Sequence, residues 1–168
     1  METTGRVCCF IVSADNFKAA GRQFTRDVLK EKIRRLIAEE NIRHFLCGMT
    51  PGELPAAAAV LEVKEQHPEI TLDCVLPYEE QAARWNDALR EEYFNILAEC
   101  DSVITLQTHF GSQCISEHRK YIFANAQHAL YLDDGQPVRA AAIEKRLAKL
   151  DITYDRISKC ETGKEAVS

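Results

Sequence analysis

The sequence of 168 residues contains no long hydrophobic segment. Its apolar runs, such as residues 56–61, are far shorter than the roughly 20 residues that a membrane-spanning helix needs. The first residues are polar, and the apolar run that follows them is too short for a secretory signal peptide. These absences predict a cytoplasmic protein that does not contact a membrane.

An excess of basic residues is also missing. The chain has 21 lysines and arginines against 26 aspartates and glutamates, a formal net charge of −5. This balance argues against a nucleic-acid binder that works through a general basic surface, and it leaves a local basic patch open. The seven cysteines form no C-x-x-C pair and lie mostly in apolar stretches, where a reduced cysteine behaves as a small hydrophobic residue. We therefore expect no disulfide framework, which agrees with a cytoplasmic location.

Several catalytic and cofactor-binding motifs are absent. The sequence has no G-x-G-x-x-G, no P-loop and no G-x-S-x-G element. His109, Cys114 and His118 could be grouped as zinc ligands, but a structural zinc site needs four ligands and no credible fourth lies nearby. We predict no metal and no cofactor.

The sequence does contain a regular alternation of short apolar runs and longer stretches of helical period. Residues 7–12, 44–47, 71–76, 102–106 and 128–132 predict strands, and residues 152–157 predict a sixth strand at an edge. Repeated strand–helix alternation indicates βαβ units. We therefore predict α/β architecture: a single three-layer Rossmann-like domain over residues 1–157 with a mostly parallel sheet of five or six strands. Residues 158–168 would form a polar C-terminal tail.

Ligands of such sheets bind outside the carboxyl ends of the strands, near the point where strand order reverses. After the second predicted strand, Gly48 and Gly52 allow close backbone approach, and the helix start that follows would attract an anion. Glu53 could hydrogen-bond a sugar hydroxyl. The alternative is a tight turn in which Glu53 favours the start of a helix.

Two further side chains have two interpretations each. Trp85 follows the third predicted strand and could stack on a base or simply cover the sheet. Arg119 falls four residues after Ile115 and three before Ile122, so we expect it on an apolar stripe, facing inward or to a rim. Its partner would be a ligand phosphate or a carboxylate such as Asp101.

Carboxylates follow the first and the fifth predicted strands, at Asp15, Asp133 and Asp134. Next to a polyphosphate they would be unfavourable unless Arg139 or a metal compensated them. Their other interpretation is as turn residues.

Between residues 45 and 135 a series of motifs occurs in a specific order. F-L-C-G-M-T-P-G-E joins a strand to an alanine-rich helix, P-Y-E-E-Q-A-A-R-W fits P-x-x-x-Q-x-x-x-W, and C-I-S-E-H-R with Tyr121 approximates C-x-x-x-R-x-x-Y. This order resembles the YpsA/YoqJ-like family of the SLOG superfamily, which also includes DprA-like and LOG proteins. The resemblance extends over roughly residues 7–157.

The resemblance implies a Rossmann-like domain that binds a nucleotide or nucleotide-derived small ligand as a sensor without turnover. The LOG branch implies an alternative, a nucleotide N-glycosidic hydrolase with Glu53 as acid or base and Arg119 on the phosphate. The implied ligand-binding residues are Ser13, Gly48, Met49, Thr50, Gly52, Glu53, Tyr78, Trp85, Arg119 and Gly135. The P-G-G-x-G-T motif of the LOG branch is missing, which makes an enzyme the less favoured hypothesis.

The sequence departs from the family at the anion-binding elements. The family's T-G-H-R after the first strand is replaced by residues 11–15, and the glycine-rich turn after the fifth strand is reduced to Gly135. The acidic residue after the second strand is Glu53 rather than aspartate. These departures support a third hypothesis, in which the fold is retained as an interaction module that forms a homo-oligomer or binds another protein.

Overall fold

The structure, a computed structural model, describes residues 5–12 and 21–158. Within these residues it contains six strands, five α-helices and one short 3-10 helix, Pro51–Glu53. The strands are β1 (Val7–Val12), β2 (His44–Cys47), β3 (Thr71–Leu76), β4 (Ser102–Thr105), β5 (His128–Leu132) and β6 (Thr153–Ile157). The helices are α1 (Arg22–Glu40), α2 (Leu54–Lys64), α3 (Asp87–Glu99), α4 (Cys114–Ala124) and α5 (Pro137–Lys149).

The strands form one parallel sheet in the order β4-β3-β2-β1-β5-β6. Cys9 in the central strand is in register with Leu46 of β2 on one side and Ala129 of β5 on the other. The predicted α/β fold with a Rossmann-like three-layer arrangement is confirmed. The predicted C-terminal tail falls almost entirely outside the described residues.

Side chains alternate between two hydrophobic cores, one on each face of the sheet. Cys8 and Phe10 of β1 join the core beneath α1, α2 and α3, whereas Cys9 and Ile11 face the core beneath α4 and α5. Helix α2 buries much of its surface because its alanines permit close packing, with Ala56, Ala57 and Ala59 fully buried. Among the described residues, the buried cysteines with free thiols are Cys8, Cys9, Cys47, Cys74 and Cys114.

Strand order reverses between β1 and β5. The chain passes from β1 to β2 on one side, whereas β5 pairs with the opposite edge of β1. Connections that leave β1 and β5 therefore diverge, and a crevice opens outside their carboxyl ends. None of the helices in the described residues has the length and apolar character needed to cross a bilayer.

Candidate functional site

A cleft of about 470 Å³ lies at the carboxyl end of β1, between α4 and α5. The last residues of β1, Phe10 to Val12, form its apolar floor. Helix α4 contributes Ile115, Arg119 and Phe123 among its lining residues, and α5 contributes Arg139, Ile143 and Arg146. Thr50 and Glu53, from the loop after β2, complete the lining. The cleft therefore combines an apolar floor with three guanidinium groups and one carboxyl group.

The Glu53 side chain folds back onto the loop that precedes it. Its Oε2 accepts a hydrogen bond from the Gly48 backbone N–H at 2.7 Å, and its Oε1 accepts one from Thr50 Oγ1 at 2.8 Å. Burial raises the pKa of Glu53 above its ordinary value of 4.5, although the hydrogen bond from Thr50 and the charges of His118 and Arg119 oppose the rise. Glu53 therefore lines the cleft and at the same time holds the turn before α2 through these two hydrogen bonds.

Glycine is required at position 48 because Glu53 and His118 approach it closely. A Cβ atom on Gly48 would lie 2.5 Å from Glu53 Oε2 and 2.7 Å from His118 Cε1. The buried His118 ring is fixed by its Nε2–H, which donates to the Val75 carbonyl of β3 at 2.8 Å. The loop after β2 therefore packs closely against α4 through the contact between Gly48 and the His118 ring.

Helix α4 presents a different face to the core than the sequence predicts. Its buried side chains are Cys114, His118 and Ile122, whereas Ile115 is 55% exposed. Of the two orientations predicted for Arg119, the inward one is wrong, because the buried stripe advances in steps of four from residue 114 and includes a histidine bonded to a backbone carbonyl. Arg119 is exposed and lines the cleft.

Asp101, the alternative partner considered for Arg119, is engaged elsewhere. It accepts hydrogen bonds from Lys64 Nζ at 2.6 Å and from the Leu72 backbone N–H at 2.7 Å. No carboxylate of the described residues lies within ion-pairing distance of Arg119. Arg119 therefore presents its charge at the cleft rather than to an internal ion pair.

Two more arginines reach the cleft from α5. Arg139 forms an ion pair with the buried Asp134, and the Arg146 guanidinium lies 5.0 Å from the centroid of the Phe123 ring. Sequence reasoning assigned no role to Arg146. Arg146 is seven residues after Arg139, a spacing that places both arginines on the same face of a helix. This spacing could have predicted that Arg146 joins Arg139 at the site.

The loop after β5 is held by its own aspartates. The Gly135 N–H donates to Asp133 Oδ1 at 2.9 Å, and the Gln136 N–H donates to Asp134 Oδ1 at 3.0 Å. Burial raises the pKa of Asp133, but hydrogen bonds from Arg156 and Gly135 outweigh it and lower that pKa below 3.8. Gly135 adopts a φ of 83°, a left-handed conformation that glycine tolerates. These contacts agree with the interpretation of the aspartates as turn residues.

The other predicted site residues in the described part of the chain are not among those that line the cleft. Met49 is buried and accepts a hydrogen bond on its carbonyl from Gln81, while Gly52 is buried at the turn before α2. Tyr78 packs against Phe110, and Trp85 packs edge-on against Tyr93 at 5.0 Å. The Trp85 contact fits the interpretation of a ring that covers the core. Ser13 lies outside the described residues.

One group of potential metal ligands lies away from the cleft. Ligand atoms of Glu40, His128 and Asp155 are within 4.8 Å of one another. However, His128 bonds to Thr153 through Nδ1 and to Asp155 through Nε2, and Glu40 pairs with Arg6. These contacts account for the grouping as an internal polar network.

Comparison with known proteins places this architecture in a family. The YpsA model, described as the YspA SLOG family, matches residues 13–154. The chain belongs to the YpsA family of the SLOG superfamily. It is 32% identical over 117 residues to a UPF0398 protein of Halalkalibacterium halodurans, covering 68% of this chain and 61% of that protein.

Other relatives give the same result. A UPF0398 protein of Brevibacillus brevis is 27% identical over 121 residues, or 71% of this chain and 64% of that protein. The UPF0398 protein YpsA of Bacillus subtilis is 33% identical over 85 residues, or 48% of this chain and 47% of that protein. The matches span less than two thirds of these relatives, and their names state no activity.

Proposed function

We propose that this chain binds a nucleotide or nucleotide-derived small ligand in the cleft between α4 and α5, as a sensor without turnover. The observation that supports this most is the cleft itself, about 470 Å³ at the point where strand order reverses. Small-molecule sites are typically roughly 300–1,000 Å³, mostly apolar, with a few convergent polar groups. The lining has this composition.

The two kinds of lining match the two parts of a nucleotide. Ile115 and Ile143 offer apolar surface on opposite walls for a flat base, and the arginines offer charge for a phosphate. A ligand that contacts both α4 and α5 would favour one spacing of these helices. A partner protein could then recognise that conformation, so the signal would be a shift of population rather than a reaction.

One observation favours a second candidate, N-glycosidic hydrolysis of a nucleotide. Glu53 lines the cleft with a raised pKa, a property of carboxyl groups that act as general acids. Against it, both Glu53 oxygens already accept hydrogen bonds from the loop. Chromatography of any bound nucleotide after incubation distinguishes the two, because only a hydrolase releases the free base.

A thermal-shift screen against AMP, ADP-ribose, NAD, cyclic nucleotides and the 5′-monophosphates tests the proposal. Because ligands that bind only the folded state stabilise it, at about 1 mM we expect at least one to raise the Tm by roughly 2–8 °C. The variant Ala142→Trp, which fills the cleft, should lose the shift. Ala148→Trp, on the exposed surface of the same helix outside the cleft, should keep it. No shift with any compound would contradict ligand binding and favour an interaction module, detectable as self-association or a protein partner.

A further inference from the structure

The chain's own carboxylates occupy the backbone donors of both described loops where an anion was expected. The Gly48 N–H donates to Glu53, and the N–H groups of Gly135 and Gln136 donate to Asp133 and Asp134. An incoming phosphate would have to displace these carboxylates and would meet their charge. The backbone of these loops is therefore unsuited to hold a phosphate.

The side chains of α4 and α5 provide a different anion site. Among the described residues, no carboxylate lies within ion-pairing distance of Arg119 or Arg146. The Arg146 guanidinium lies over the Phe123 ring, 5.0 Å from its centroid, in a cation–π contact that holds it at the wall of the cleft. Arg139 is oriented by Asp134, whose side chain is almost fully buried.

We propose that Arg119, Arg139 and Arg146 bind the phosphate of a nucleoside monophosphate between α4 and α5, in place of the glycine-rich turn that the sequence lacks. This inference rests on the proposed function and names its ligand class. Arg139 is already balanced by Asp134, which leaves the two guanidiniums of Arg119 and Arg146 for the ligand. A phosphate monoester with about −1.5 to −2 charges at pH 7 matches them.

A longer polyphosphate fits the cleft less well. Two carboxyl groups stand beside the arginines: Glu53 lines the cleft, and Asp134 pairs with Arg139. A second phosphate placed near either carboxyl group would bring like charges together. Within the proposal, the cleft therefore favours a single phosphate group joined to an apolar, flat group.

The test is calorimetric titration with AMP, GMP, CMP and UMP, each paired with its unphosphorylated nucleoside. We expect at least one monophosphate to bind at least about tenfold more tightly than its nucleoside, because only the monophosphate accepts charge-assisted hydrogen bonds from the guanidinium groups. The variants Arg119→Ala and Arg146→Ala should each weaken that monophosphate about tenfold or more and leave the nucleoside unchanged. Arg35→Ala, an exposed arginine on α1, should change neither.

The outcomes separate this inference from the proposed function. Equal binding of nucleotide and nucleoside, lost in Ala142→Trp, would overturn the phosphate site but keep the ligand-binding cleft. Binding of ADP-ribose or NAD, with no binding of any monophosphate, would also overturn the phosphate site and keep the ligand-binding cleft. Binding of no compound would overturn both. Because the substituted arginines are exposed, their variants should retain the wild-type circular dichroism spectrum and Tm without ligand, and affinity losses can be assigned to the site.

Discussion

The two helical layers pack differently against the same sheet. On one face, α1 and α2 close over the strands, and Leu29, Ile33, Ala57 and Val60 are fully buried. On the other face, α4 and α5 leave a cleft between them, and Ile115 of α4 stays 55% exposed. The closed layer buries more apolar surface and therefore contributes more to stability. The open layer leaves apolar side chains exposed in a cleft that has the size and lining of a ligand site.

Matched isoleucine substitutions give the largest expected contrast between the layers. Ile33→Ala should lower the free energy of unfolding by about 2–5 kcal/mol because it leaves a cavity in the closed layer. Ile115→Ala should cost less than about 1 kcal/mol because its side chain is largely exposed. Urea unfolding of both variants measures the difference. Equal losses would contradict the contrast.

The glycine at the junction of cleft and core gives an intermediate effect. Gly48→Ala should destabilise the fold by about 1–3 kcal/mol, because the added methyl group overlaps Glu53 and the His118 ring. Gly111→Ala is the control, since its Cβ would meet its nearest atom, Cys114 Sγ, at 4.0 Å. Thermal and urea unfolding would show both effects. A Gly48→Ala variant as stable as Gly111→Ala would mean that the carboxyl group and the ring are not held as described.

The pH dependence of Glu53 gives the smallest effect. Its pKa is raised in the folded state, so the folded chain retains the proton better than the unfolded chain. Its contribution to stability is therefore present in full below pH 4.5 and is lost as pH rises through the folded-state pKa. Glu53→Gln does not titrate and can keep both contacts, by accepting from Gly48 and donating to Thr50.

Unfolding free energies of the wild type and Glu53→Gln, measured between pH 4 and 8, test this sign. The variant should gain stability relative to the wild type as pH rises. A wild type that gains on the variant would mean that the folded state stabilises the charged carboxylate, as it does for Asp133.

The fold followed closely from the sequence, because buried parallel strands are continuous apolar runs that local pattern reveals. The bounds of β1, β2, β3 and β5 agree with prediction, while β4 ends one residue earlier and β6 begins one residue later. The site followed less well. Thr50, Glu53 and Arg119 reach the cleft, but the sequence does not show how far α5 stands from α4, and this distance brings Arg146 to the site.

Aromatic residues illustrate the same limit. Trp85 and Tyr78 follow β3 and were expected at the ligand, yet their rings pack against Tyr93 and Phe110. An aromatic ring after a strand can serve a core or a ligand with the same local sequence. Which of the two roles the ring has depends on residues that are distant in the sequence, so the local sequence pattern does not predict it.

The most direct test of the ligand-binding cleft is calorimetric titration of the strongest nucleotide from the screen into three proteins. The wild type and Ala148→Trp should bind it with equal affinity, and Ala142→Trp should show no measurable heat of binding. All three proteins should have the same far-ultraviolet circular dichroism spectrum. Equal affinity for Ala142→Trp would place the ligand elsewhere and contradict the assignment of the cleft between α4 and α5 as the binding site.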